Sequence, residues 1–268
     1  MTKISIYGYE FEEETWRERE RLEFAILDRV YNGIDLSNLK ILDGDTGVGY
    51  STKYLALHIR DGLVVTVDID TSSFEMLIKI VDEYLLNKMV FIKANLSKLS
   101  FIKENYFDIV NLYFTIHTIE SVTLGETIKV LREMYRILKP GGMLVITENY
   151  PTFKPIDRAQ ELLIEFSKIE DKIMEALGVT ARDVEYEPRE LANILKHIGF
   201  KNIIHVKISD GEIDPTLMDW VSYLARRAQE ISDNKIKEEI LKDIRSKLRE
   251  AENYGIRDNP SYVIYALK

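Results

Sequence analysis

The feature that most constrains this chain is a strict alternation of strand-like and helix-like segments between residues 39 and 150. "LKILDG" reads as a strand, and "STKYLALHIRDG" as a helix with Ser51 or Thr52 at its cap and Gly62 just past its end. "LVVTVDID" is a continuous apolar run of the kind buried on both faces of a sheet. "SSFEMLIKIVDEYL" has helical spacing, and "MVFIKAN" and "FDIVNLYFTI" are strands. "TLGETIKVLREMYRILKPGG" is a helix stopped by Pro140 and the glycine pair, and "MLVITENY" is a fifth strand. This order implies βαβ units with right-handed crossovers, and so an α/β, doubly wound, parallel sheet.

Residues 11–31 read as an amphipathic helix with Phe11, Trp16, Leu22, Phe24, Ile26 and Leu27 on its apolar side and Gly33 at its end. Two segments break the alternation. Residues 151–187 are helical and charged, before "PRELANILKHIGF" and the strand "KNIIHVKI" resume it. Residues 212–253 hold two further helical stretches, and the chain closes on the strand "SYVIYALK". The charge-rich stretch 229–252 fits a solvated helix face.

Composition removes several classes of function. Net charge is −9, which disfavours non-specific binding to nucleic acid or to an anionic membrane. The chain has no cysteine, so disulfides, thiolate metal sites and a cysteine nucleophile are excluded. No window reaches eighteen apolar residues and the first residues carry no apolar leader pattern, so a cytoplasmic location is expected. The blend of Lys, Glu and Ile suits a thermophile. Four histidines occur with no metal-ligand spacing, so no metal is expected. His58, His197 and His205 read as packing or surface residues. His117 stands apart because it follows the fourth strand.

In an open parallel sheet the ligand lies outside the carboxyl ends of the strands, beside the first one. "ILDGDTGVGY", residues 41–50, falls there. A pyrophosphate suits it poorly, because the G-x-G-x-x-G pattern lacks its last glycine and Asp43 and Asp45 would repel phosphate. S-adenosylmethionine has no phosphate and carries cationic groups that nearby aspartates suit. Glycines allow the backbone to approach it closely, and a helix start at Ser51 favours its carboxylate.

The segment resembles motif I of class I methyltransferases, an acidic residue followed by x-G-x-G-x-G. Asp43 matches the acidic position and Gly47 and Gly49 the second and third glycines, whereas Asp45 stands where the first glycine belongs. The following motifs resemble the family in order: "VDID" at the second strand, "KANLSKL" at the third, "FDIVNLYFTIHTIE" at the fourth and "LREMYRILKPGGMLVITE" at the fifth. The closest patterns are small-molecule methyltransferases similar to those of quinone biosynthesis. The resemblance implies that Asp68 grips the ribose hydroxyls, that Ile69 lies against adenine, and that Asn95 accepts from the adenine amino group. Leu96 and Leu112 join the implied cofactor site. Asp43 and Asn95 also read as ordinary turn residues.

The same resemblance implies a Rossmann-like seven-stranded sheet, mostly parallel with an antiparallel last strand, plus helical lid insertions. The expected division is an N-terminal helical cap (1–33), a cofactor core (34–150, 188–210 and 260–268) and two lid insertions (151–187 and 211–259). Tyr113, Tyr150, Phe153, Met218, Trp220 and Tyr223 are candidate walls of an acceptor pocket. Tyr7, Tyr9, Phe11 and Trp16 fit either a lid or packing of the first helix.

The expected activity is methyl transfer from S-adenosylmethionine, by in-line displacement, to a small-molecule acceptor. His117 or Glu148 would serve as base where the acceptor must lose a proton. A methyltransferase-like subunit without catalysis, acting through a protein partner, is the competing reading, and Asp45 is the feature that supports it. A nicotinamide oxidoreductase ranks third, and the sequence leaves a homodimer open.

Overall fold

The computed structural model describes residues 3–6, 9–122, 125–179 and 184–268. Two compact units emerge. One comprises residues 23–152, 183–208 and 261–268; the other comprises residues 1–22, 153–182 and 209–260.

The first unit is built on a seven-stranded sheet. In chain order its strands are β3 (Lys40–Gly44), β4 (Leu63–Asp68), β5 (Met89–Lys93), β6 (Phe107–Tyr113), β7 (Leu138–Asn149), β8 (Lys201–Ser209) and β9 (Ser261–Leu267), with β1 and β2 lying in the other unit. Their spatial order is β5-β4-β3-β6-β7-β9-β8. β3 pairs in parallel with both β4 and β6, β4 with β5, and β6 with β7, while β9 runs antiparallel to β7 from Met143↔Leu267 to Asn149↔Ser261. The chain therefore leaves β3 toward β4 on one side and returns to β6 on the other. That reversal opens a crevice at the carboxyl ends of β3 and β6.

Period-two alternation buries both sheet faces. Leu42, Val67, Val110, Leu112, Leu144 and Ile146 pack on one side with α6 (Glu126–Ile137) and α8 (Pro188–Ile198). Ile41, Val64, Ile109, Val145 and Val263 pack on the other with Leu27 and Val30 of α1 (Glu13–Val30) and Tyr54 and Leu55 of α2 (Tyr50–His58). In α6 the spacing Val130, Leu131, Met134, Ile137 forms one buried stripe. α8 starts at a proline inside a Glu187–Glu190 capping box and ends at Gly199.

Several boundaries differ from the periodicity. The first helix starts at Glu13, and residues 3–12 contain two short antiparallel strands, β1 (Lys3–Ile6) and β2 (Tyr9–Glu12), with Tyr7 outside the described residues. The helix expected over 72–85 breaks at extended Val81 into α3 (Thr71–Ile80) and α4 (Glu83–Leu86). The fourth core strand stops at Tyr113, because Phe114 adopts a left-handed φ of 51° and Ile116 opens α5 (Ile116–Val122). α6 ends at Ile137, before Pro140, because Leu138 is already extended and paired with Phe107. Pro140, Gly141 and Gly142 then sit in an irregular stretch of β7, where the register shifts between Phe107 and Ile109.

The second unit is helical apart from β1 and β2. α7 (Arg158–Ala176), α9 (Thr216–Gln229) and α10 (Asn234–Tyr254) bury Leu162, Phe166, Ile169, Val221, Leu224, Ile240 and Ile244 together. Asp157 and Asp233 cap α7 and α10 through backbone N–H donors. Outside its buried stripe α10 is a charged, solvent-facing surface, as its alternating charges predict.

Candidate active site

The carboxyl ends of β3, β4, β6 and β7 carry the candidate residues. Asp43 is fully buried near the end of β3. One of its oxygens accepts from Asn111 Nδ2 at 2.6 Å; the other accepts from the Ser51 hydroxyl at 2.9 Å and from the Thr52 hydroxyl. Asn111 in turn accepts from the Tyr31 phenol at 2.8 Å. Burial outweighs these donors and pushes the Asp43 carboxyl up to about 6. Asp43 therefore anchors the first turn of α2 to the sheet. Ser51 and Thr52 are not the helix cap: Gly49, left-handed at φ 99°, occupies that position, and the two hydroxyls point back at Asp43.

Asp45 adopts a left-handed φ of 66°, the backbone geometry that the missing glycine would supply. Its N–H donates to the Val67 carbonyl at 2.8 Å, and its carboxylate accepts from the Thr118 hydroxyl at 3.1 Å. Burial, followed by the nearby charge of Asp68, pushes its carboxyl up to about 6, against the Thr118 bond and the charge of His117. Gly47 donates its N–H to Asp68 at 3.0 Å, and a Cβ built there would meet only the Asp45 carbonyl, at 4.0 Å. Gly49 has no such room, since its Cβ would lie 2.7 Å from Leu77 Cδ1.

Asp68, buried at the end of β4, accepts from Gly47 through one oxygen and from the Asp70 N–H at 2.8 Å through the other. Each carboxylate oxygen can accept more than one bond, so the pair retains capacity for two hydroxyls. Ile69 follows with 66% of its surface exposed. Asn95 commits its carbonyl oxygen to the N–H and the hydroxyl of Ser97, both at 2.8 Å. Its NH2 group can still donate. Leu96 and Leu112 are buried against Gly44, where an added Cβ would lie 2.7 Å from Leu112 Cδ2.

His117 and Glu148 are brought together. His117 Nδ1 lies 2.9 Å from one Glu148 oxygen, and the other oxygen accepts the Ile116 N–H at 2.6 Å. Glu148 is buried and His117 is partly exposed. With Glu148 as the acceptor, Nδ1 is the donor, and in the neutral form of the ring the lone pair lies on Nε2. Among the proposed walls, the Tyr113 phenol donates to buried Glu23, and Tyr150 packs edge-on to Tyr262 at 5.0 Å. Trp220 and Tyr223 belong to the helical unit, where both pack on its core and the Trp220 ring meets Phe166 at 6.3 Å.

Four contributors escaped the sequence reading: Asn111, Glu23, Thr118 and Phe114. Asn111 and Glu23 had a signal, being polar residues inside apolar runs ("IVNLY" and "RLEFAIL"). Thr118 and left-handed Phe114 had none, since only backbone geometry reveals them.

The arrangement suits S-adenosylmethionine. Gly47 leaves open space beside Asp68, Ile69 offers an apolar face, and Asp45 and Asp68 oppose a phosphate. A methyltransferase-domain family model matches residues 42–146. The ubiquinone/menaquinone biosynthesis C-methyltransferase of Yersinia enterocolitica is 28% identical over 182 residues, covering 64% of this chain and 70% of that protein. Among solved structures, a cyclopropane-fatty-acyl-phospholipid synthase-like protein from Lactobacillus casei superposes with a TM-score of 0.67 at 15% identity, over 99% of this chain and 96% of that one. A SAM-dependent methyltransferase from Archaeoglobus fulgidus gives 0.57 at 19% identity, over 96% and 97%. At these identities the structural likeness is one of fold. Residues 42–146 therefore match a methyltransferase domain, carried on a fold shared with solved methyltransferase structures.

Proposed function

We propose that this enzyme methylates a small, planar acceptor that must lose a proton to react, with His117 as the general base. The observation that carries this reading is the His117–Glu148 pair. Glu148 fixes the ring and its tautomer, and its second oxygen is held by the Ile116 N–H, so the carboxylate cannot swing away without breaking two bonds. Thr118, one residue on, ties the same helix to Asp45 of the glycine loop.

Bound S-adenosylmethionine supplies a methyl group already activated by its sulfonium. In this reading Asp68 receives the ribose hydroxyls, the first turn of α2 receives the carboxylate, and Gly47 permits close backbone approach. His117 Nε2 takes the acceptor's proton as the new bond to the methyl carbon forms, and the pair of the broken carbon–sulfur bond stays on sulfur. The quinone-biosynthesis relative favours a quinol-like phenol, whose deprotonation raises electron density at a ring carbon as well as at oxygen. Tyr113 and Tyr150, both in the sheet-bearing unit, are assigned to acceptor selection, and unchanged acceptor affinity on replacing them would remove them from that role.

The test is transfer of labelled methyl to a panel of reduced quinone-like phenols by the native enzyme, His117→Asn and Glu148→Gln. The expected loss in kcat is about 100-fold or more for His117→Asn, with donor affinity retained. Full turnover by that variant at neutral pH would remove His117 from the chemistry. Failure of the native protein to bind the donor at all would favour a non-catalytic subunit.

A further inference from the structure

Asp45 is the one position at which the glycine loop departs from its motif, and its carboxylate is not needed to hold the turn. The left-handed backbone is what the position demands, and glycine or asparagine would meet that demand at least as well. The side chain nevertheless sits mostly buried in the site, fixed by Thr118. Its backbone N–H is held by Val67, the residue before Asp68 at the end of β4, and its carboxylate by Thr118, the residue after His117 at the start of α5. Asp43 is held by its own three donors, Ser51, Thr52 and Asn111.

The covalent order of the donor then places Asp45. Asp68 is the group assigned to the ribose, and His117 the group assigned to the acceptor that attacks the methyl. In S-adenosylmethionine the sulfur lies between those two ends, bonded both to the ribose 5′ carbon and to the departing methyl. Asp45 is tied to Thr118, the residue after His117, on a loop that Gly47 ties to Asp68, so its carboxylate lies toward the sulfonium. We infer that Asp45 is a charge-discriminating residue, which makes the site prefer the cationic donor S-adenosylmethionine to the neutral product S-adenosylhomocysteine. Transfer removes the positive charge from sulfur and leaves Asp45 and Asp68 facing each other without it, so product release is favoured. This inference rests on the proposed roles of Asp68 and His117.

Calorimetric titration of donor and product against the native enzyme and Asp45→Asn tests it. Asparagine tolerates the left-handed backbone and its oxygen can keep the Thr118 bond, so the substitution removes charge with little else. The donor Kd is expected to rise about tenfold in the variant, as an ion pair across a partly buried site requires, while the product Kd stays level or falls. Asp45→Gly, which relaxes the backbone, is expected to shift the ratio the same way and serves if the asparagine variant folds poorly. Equal changes in both constants, or none, would overturn the inference while leaving the cofactor assignment intact. Absence of binding by the native protein to either ligand would overturn both.

Discussion

Asp43→Asn sets burial against hydrogen bonding at the end of β3. The native carboxyl is pushed up to about 6 from 3.8 because desolvation exceeds the help of Thr52, Asn111 and Ser51. A group whose folded value is raised binds its proton more tightly in the native state than in the unfolded chain. Its contribution to stability is then greatest below the unfolded value, falls as pH rises from about 4 to about 6, and is level above that. The gap corresponds to about 3 kcal/mol. Asparagine does not titrate. Its oxygen can stay on Asn111, and its NH2 can face Ser51 and Thr52, whose hydroxyls rotate to accept. The stability of the native protein minus that of the variant should therefore fall by about 3 kcal/mol between pH 4 and pH 7. Asp45, raised for similar reasons, is present in both proteins and largely cancels. Urea unfolding followed by far-ultraviolet circular dichroism at several pH values measures the difference. A pH-independent difference would mean that the three donors offset burial, and a difference that grows with pH would mean that they exceed it.

Three further outcomes are expected. Gly49→Ala combines a left-handed backbone with a Cβ 2.7 Å from Leu77 Cδ1, so urea unfolding should show a loss of about 2 kcal/mol or more, and donor affinity should drop with it. Tyr113→Phe takes a donor from the buried Glu23 carboxylate and should cost about 1–3 kcal/mol; an unchanged melting temperature would show that Glu23 does not depend on that phenol. Phe166→Ala removes a fully buried ring from the helical unit and should cost about 3–5 kcal/mol, with faster amide exchange in α7, α9 and α10 and not in β3, β4 and β6.

The parallel order of the core strands was legible because the central strands bury both faces and the helices between them carry apolar stripes. Boundaries were less so. "YRILKPGG" contains a proline that marks the end of a helix, yet pairing of Leu138 with Phe107 ends it earlier. "FDIVNLYFTI" has continuous apolar character, and nothing in its composition marks the left-handed turn at Phe114. In the site, residue types at or just after strand ends singled out Asp68, His117 and Glu148 as candidates. Their partners were not readable: Asp43 and Asn95 look like ligand-facing acceptors in the sequence, and both accept hydrogen bonds from neighbours within the fold.

What the sequence alone determined is local and periodic: which segments are strands, which faces are apolar, and which loop needs glycines. Asp43, Asp68 and Glu148 fall near strand ends for the same reason, since strand length places them. What only the tertiary structure decided is pairing between groups far apart in the chain. His117 meets Glu148 across 31 residues because β6 and β7 lie side by side in register. Thr118 meets Asp45 across 73 because β6 lies beside β3. Hydrogen bonds depend on distance and angle within fractions of an ångström, and strand order and register set those quantities, whereas hydrophobic periodicity sets only the face on which each side chain lies.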